Sequence, residues 1–211
     1  MHYPYHEGRA GILRDRHRTA DASEYLLADK EVVSLAKDLL TEEEYQEAEA
    51  ISAKLTGTKR EKDFARARLI DLVKPPPKRP IYYAQEELQY LPRWTRDALR
   101  YLGDFIDILV KSAVYQKTKK KGTLGTSFGP AVNAFKEHWP DSTLLANFLS
   151  RYNRFLYRGA KHDFRLPAGR SMHRFTSREV VLTAYITMNL ADRLTSISWM
   201  AQKVRNDEVI L

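Results

Sequence analysis

Cysteine is missing from all 211 residues. Disulfides, thiolate nucleophiles and cysteine-based zinc or iron–sulfur sites are thereby excluded, and a reducing, cytoplasmic setting is expected. No run approaches the roughly eighteen uninterrupted apolar residues that read as a membrane span. The opening residues, Met-His-Tyr-Pro-Tyr-His-Glu-Gly-Arg, lack the apolar centre of a signal peptide, so no membrane association is expected. Alternating β-branched segments are scarce, the short Pro80-Ile-Tyr-Tyr83 being the exception, and no stretch repeats. Gly122, Gly125 and Gly129 fit neither phosphate-loop spacing, since no Gly-Lys-Ser/Thr follows and no strand precedes. His2, His6 and His17 have no helical spacing and read as a solvated tail. With no other ligand set in the sequence, neither a metal nor a cofactor is expected.

What is present is charge and helical periodicity. Lys plus Arg number 35 against 27 acidic residues, a net charge of +8. That balance favours polyanionic partners, nucleic acid first. Residues 1–20 read as an irregular arm. Asp29 is placed to cap a helix burying Val32, Val33, Leu35, Ala36, Leu39 and Leu40. Thr41-Glu-Glu-Glu44 is a capping box opening a second helix, with Tyr45, Ala48, Ile51 and Leu55 inward. The spacing predicts a third helix over 59–73 with Phe64, Ala67, Leu69, Ile70 and Val73 as its stripe. Lys74-Pro-Pro-Pro-Lys-Arg-Pro80 breaks the pattern and reads as a stiff linker. The expected organisation is therefore an arm and helical extension over 1–73, a linker over 74–80 and a helical bundle over 81–211.

Beyond the linker a short helix is expected over 84–90. A long one over 97–117 buries Leu99, Leu102, Phe105, Ile106, Leu109, Ala113 and Val114. Asp104 and Asp107, one turn apart in it, read as its polar side. Lys119, Lys120 and Lys121 open a basic loop suited to a phosphate backbone. A short helix begins at Pro130. The next buries Leu144, Leu145, Phe148, Leu149, Tyr152, Phe155 and Leu156. Gly159 ends it. Thr176-Ser-Arg-Glu179 is a capping box for the last helix, expected to reach about residue 205. The fold class is all-α, a helical bundle.

Cations, aromatics, a histidine and a carboxylate are densest in the stretch Arg151 to Phe164. Arg151, Arg154 and Arg158 recur at three and four, so on a regular helix they share one face. They need anions between them, from phosphates or from the chain's own acids. His162 can exchange a proton near neutral pH, and an adjacent arginine can stabilise negative charge on phosphorus. Lys161, and Arg170 beside His173, add cationic groups.

An arginine followed shortly by a histidine between the last two helices of an all-α bundle resembles the HEPN superfamily (named for higher eukaryotes and prokaryotes nucleotide-binding). The phrases Tyr-Asn-Arg-Phe-Leu-Tyr…Ala-Lys-His-Asp-Phe and His-Arg-Phe-Thr…Glu-Val-Val are similar to related bacterial proteins. The resemblance spans about residues 95–205. It implies an RNA-binding homodimer and metal-independent endoribonuclease activity leaving a 2′,3′-cyclic phosphate. Arg158 and His162 would be the catalytic pair, oriented by Asn153 or Asp163. The spacing departs from the family pattern: Arg158 stands closer to His162, and Arg154 farther from it, than is usual. Gly159 and Phe155 also stand where the family carries a polar residue. A non-catalytic dimerisation or protein-interaction module is the alternative, with the same cations holding the bundle together.

Overall fold

The computed structural model describes residues 30–73, 81–93, 95–157 and 175–197, and these are helical, with no strand among them. The elements are α1 (30–39), α2 (Glu42–Lys54), α3 (Lys59–Leu72), α4 (Ile81–Leu88), α5 (Thr95–Thr118), α6 (Phe128–His138), α7 (Thr143–Tyr152) and α8 (Ser177–Ser196). Short 3₁₀ turns cover Lys121–Gly125 and Pro140–Ser142, and a π turn covers Asn153–Tyr157.

Local chemistry sets several of the helix starts. Thr41 and Glu44 form the expected capping box: the Thr41 amide donates to Glu44 Oε2 at 2.8 Å, and the Glu44 amide donates to Thr41 Oγ1 at 3.2 Å. Thr176 and Glu179 do the same for α8, at 2.6 and 3.2 Å. A third box, Thr58 with Glu61, opens α3. Each cap satisfies two of the amides that the first turn leaves without partners, worth about 1 kcal/mol.

α5 and α8 form the centre. The expected α5 stripe from Leu99 to Val114 is buried, and α5 packs against α4, α6 and α8. α8 is buried on every side from Glu179 to Thr187, the mark of a helix enclosed by others. Its two interior threonines turn their hydroxyls onto the preceding turn: Thr183 donates to the Glu179 carbonyl at 2.6 Å and Thr187 to the Thr183 carbonyl at 2.7 Å. Tyr152 meets Thr187 at 2.9 Å. No hydroxyl of this trio is left without a hydrogen bond in the core.

One apolar cluster runs from Val32 of α1 to Leu194 of α8. α2 lies on α8, where Arg178 grips both oxygens of Glu49 at 2.6–3.1 Å. Residues 74–80, the expected linker, lie outside the described residues. On either side of them α3 and α4 meet, the Gln85 amide donating to the Val73 and Ile70 carbonyls at 2.5 and 3.2 Å.

Three sequence expectations are corrected. Phe64 and Ala67 face outward, because Ala65, Leu69 and Val73 set the phase of α3 against the core. Leu144 is exposed at the start of α7, whose buried side is Ala146, Phe148, Leu149 and Tyr152. Asp107 is buried rather than on the polar side of α5.

Candidate nucleic-acid interface

α7 keeps regular geometry only to Tyr152, and the next turn is π-helical. In an α-helix residues five apart point about 140° away from each other. In a π turn, closed by i→i+5 bonds, they come nearly into line. The wider turn brings Tyr157 beneath Tyr152 on the core side, and both are buried. Tyr157 lies on α5 where only glycine leaves room, since a Cβ at Gly103 would come within 2.1 Å of its ring. Its hydroxyl donates to Asp104 Oδ1 at 2.5 Å and reaches Asp107 Oδ2 at 3.3 Å. Lys111 Nζ donates to that same Asp107 oxygen at 2.8 Å. Burial, then the bond to Asp104, pushes the Tyr157 phenol well above the ordinary tyrosine range. Asp104 and Asp107 therefore clasp the end of the π turn.

The arginines of this stretch do not act as one row. Arg151 is held by three residues of α1 at helical spacing. Its Nη1 donates to Asp38 Oδ2 at 2.5 Å, its Nη2 donates to Ser34 Oγ at 3.0 Å, and Glu31 Oε2 lies 3.6 Å away. Arg151, a candidate phosphate contact in the sequence, is paired here with acids of the chain. Arg154 is exposed, its guanidinium 5.2 Å from the Phe155 ring centroid, with no carboxylate partner among the described residues. Asn153 is half-buried, its amide nitrogen 3.5 Å from where a Cβ on Gly129 would stand.

The second cationic group follows α5. Lys119 sits at φ 57°, the left-handed cap position where glycine is usual, and its amide donates to the Tyr115 carbonyl at 2.7 Å. Lys120 donates its amide to Thr118 Oγ1 at 3.2 Å, and Lys121 starts the 3₁₀ turn. All three lysines are exposed, and none has a carboxylate partner among the described residues; Lys119 Nζ donates to Gln116 Oε1 at 3.3 Å. Positive side chains after a helix C-terminus complement its dipole. Holding a lysine in the left-handed region, however, costs about 1–2 kcal/mol.

Two contacts place these groups relative to each other. Phe128 meets Tyr157 edge-on at 5.5 Å, while Lys117 lies over Trp139 at 6.0 Å. α6 therefore runs beside α5 in the same direction. The lysines stand near its Trp139 end, and Asn153 stands near its Gly129 end. The length of α6, about 16 Å, separates them.

Arg158, Lys161, His162, Asp163 and Arg170 lie outside the described residues, as do His2, His6, His17 and His173. Among the described residues no group of three or more His, Cys, Asp or Glu is arranged to hold a metal, and no helix is long and apolar enough to cross a membrane. The sequence reading missed the Tyr157 clasp. Its one available signal was Gly103 within an otherwise strongly helical segment. No family model, curated protein or solved structure matches the chain.

Proposed function

We propose that this chain is an RNA-binding protein of HEPN-like type that contacts the phosphate backbone through Lys119, Lys120, Lys121 and Arg154. The observation that supports this reading is selective pairing. Arg68, Arg151 and Arg178 are neutralised by Glu47, Asp38 and Glu49, whereas these four cations are exposed without carboxylate partners among the described residues. The left-handed Lys119 adds to it, because backbone strain retained at a cation points to a use for that cation. Arg158 and His162 complete the reading as the catalytic pair of a homodimeric, metal-independent endoribonuclease. His162 takes the proton of a ribose 2′-hydroxyl, and the 2′-oxygen bonds to the adjacent phosphorus. The bond from phosphorus to the 5′-oxygen breaks, and that oxygen takes a proton from solvent. The products are a 2′,3′-cyclic phosphate and a 5′-hydroxyl. Arg158 stabilises the charge on the phosphorane.

The test is cleavage of single-stranded RNA in the presence of a chelator. Wild-type chain cleaves and His162→Ala does not, at equal thermal stability. Cleavage unchanged by His162→Ala removes that residue from the mechanism. Absence of RNA binding by the wild type overturns the whole reading.

The second reading, a non-catalytic interaction module, is favoured by Arg151. Its three partners on α1 show that one cation of this stretch serves internal cohesion. A stable dimer that neither binds nor cleaves RNA would select this second reading.

A further inference from the structure

The turn between α2 and α3 carries an aromatic group that the core does not use. The core face of α3 is set by Ala65, Leu69 and Val73, all fully buried. Phe64 is one residue out of that phase and is 50% exposed. Arg60 and Arg68 stand four residues to either side of it, on the same face of the helix. From the last turn of α2, Lys54 reaches over the ring, its Nζ 4.2 Å from the centroid. Lys54, Arg60, Glu61 and Phe64 line a shallow hollow of about 180 Å³.

The charges around this hollow are unbalanced. Lys59, Arg60 and Lys62 stand at the start of α3, with Glu61 among them, and Lys54 lies over the Phe64 ring. Asp63 is paired with Arg66 at 3.1 Å. The Glu61 carboxylate faces Thr58, accepting its amide and its hydroxyl at 2.7 Å each. Those bonds, with a smaller pull from the Lys54 ammonium, hold Glu61 below the usual carboxylate range, so it stays ionised as a cap. Neither Lys54 nor Arg60 has a carboxylate within ion-pair distance among the described residues.

We propose that this corner is a stacking subsite for an unpaired nucleobase of RNA, with Phe64 meeting the base and Lys54 and Arg60 meeting the flanking phosphates. The proposal rests on the RNA-binding reading and deepens it by assigning a base-stacking contact to the α2–α3 turn. A half-exposed ring between cations is the arrangement that binds single strands without regard to sequence. A duplex keeps its bases stacked on one another and has no free face to offer. Arg68 is already committed to Glu47, and Lys54 and Arg60 are the cations that line the hollow itself.

The test measures binding of a short oligoadenylate, alone and as a duplex with oligouridylate, by fluorescence anisotropy. Phe64→Ala is a surface substitution, so folding is retained. It is expected to weaken single-strand binding about ten-fold and leave duplex binding unchanged. Phe64→Trp restores or tightens single-strand binding, because the larger ring offers a larger face. Lys54→Gln with Arg60→Gln lowers the slope of log affinity against log salt by about 1.4. Wild-type affinity for the single strand in Phe64→Ala overturns the subsite. If the Lys119–Lys121 variants weaken binding in the same assay, the RNA-binding reading survives that failure. Equal loss on single strand and duplex also overturns the subsite, since the ring would then act through structure alone. A wild-type chain that binds neither ligand overturns both.

Discussion

The hydroxyl of Tyr157 lies 2.5 Å from Asp104 Oδ1, and Asp107 Oδ2 takes both that hydroxyl, at 3.3 Å, and the Lys111 ammonium, at 2.8 Å. Hydrogen bonds to charged groups contribute about 1.5–3 kcal/mol each, and the half-buried Asp104 would lose this donor while Asp107 keeps Lys111. Tyr157→Phe keeps the ring against Gly103 and Phe128 and removes only the donor. It is expected to lower unfolding free energy by about 2 kcal/mol in urea denaturation. An unchanged midpoint would mean that the phenol adds nothing to stability.

Gly103 tests the same junction from the α5 side. A methyl group there would meet the Tyr157 ring at 2.1 Å, and that ring is buried with its far end fixed by two aspartates. Gly103→Ala is expected to cost about 1–3 kcal/mol, although alanine is the better helix former. The penalty should shrink in a Tyr157→Ala background, where the space is vacant. Additive penalties in the double variant would place the clash elsewhere.

Four buried or partly buried tyrosines govern the alkaline limit. Burial first raises the phenols of Tyr45, Tyr152, Tyr157 and Tyr185, with carboxylate neighbours adding to the effect at each. A group whose folded pKa is raised holds its proton more tightly in the folded state. Its contribution is complete below the unfolded value, about 10, and is lost as pH climbs beyond it. At the acid end the order reverses. Arg178 holds Glu49, and Arg68 holds Glu47, below the usual carboxylate range. Their contribution is present above about pH 4.3 and is lost as pH falls below it. Melting temperature is therefore expected to stay level through neutral pH and fall beyond both limits. Glu49→Gln should flatten the acid side and, by removing the carboxylate beside Tyr45, soften the alkaline side slightly. A profile in which that variant keeps the full acid slope would count against the Arg178–Glu49 pair.

The helices were legible where the chemistry is local. Thr41 with Glu44 and Thr176 with Glu179 announce helix starts within four residues, and the apolar period of α5 from Leu99 to Val114 fixes its buried face. Features set by distant contacts were not legible. Asp107 has the spacing of a surface residue, and its burial depends on Tyr157, fifty residues on. Phe64 fits an apolar stripe as well as Ala65 does, and only the approach of the core selects the smaller residue. Arg151 and Arg154 look equivalent in sequence, yet α1, more than a hundred residues earlier, claims only the first. The π turn leaves no periodic trace, because it spans a single turn.

The lysines after α5 allow charge to be separated from backbone strain. Lys119 occupies a left-handed position that glycine fills at no steric cost. Lys119→Gly is therefore expected to stabilise the fold by about 0.5–1 kcal/mol while weakening RNA binding. Lys120→Gln should weaken binding to a similar degree with no change in stability. A Lys119→Gly variant that binds as tightly as the wild type would mark this lysine as one the interface does not use.

Arg151 and Arg154 give the clearest contrast, because one sequence pattern receives two structural fates. Arg151 joins α7 to α1 through Asp38, Ser34 and Glu31 in a partly exposed setting, where solvent screening keeps each ion pair small. Arg151→Ala is expected to lower stability by about 1 kcal/mol and leave the salt dependence of RNA binding unchanged. Arg154 has only the Phe155 ring beside it among the described residues. Arg154→Ala should leave stability within about 0.5 kcal/mol of wild type. It should also reduce the salt slope by about 0.7, the share of one single-strand phosphate contact. Denaturation and salt titration of the two variants side by side decide the matter. If Arg151→Ala flattens the salt slope and Arg154→Ala does not, α1 does not hold Arg151 in solution, and the interface must be drawn on the other side of α7.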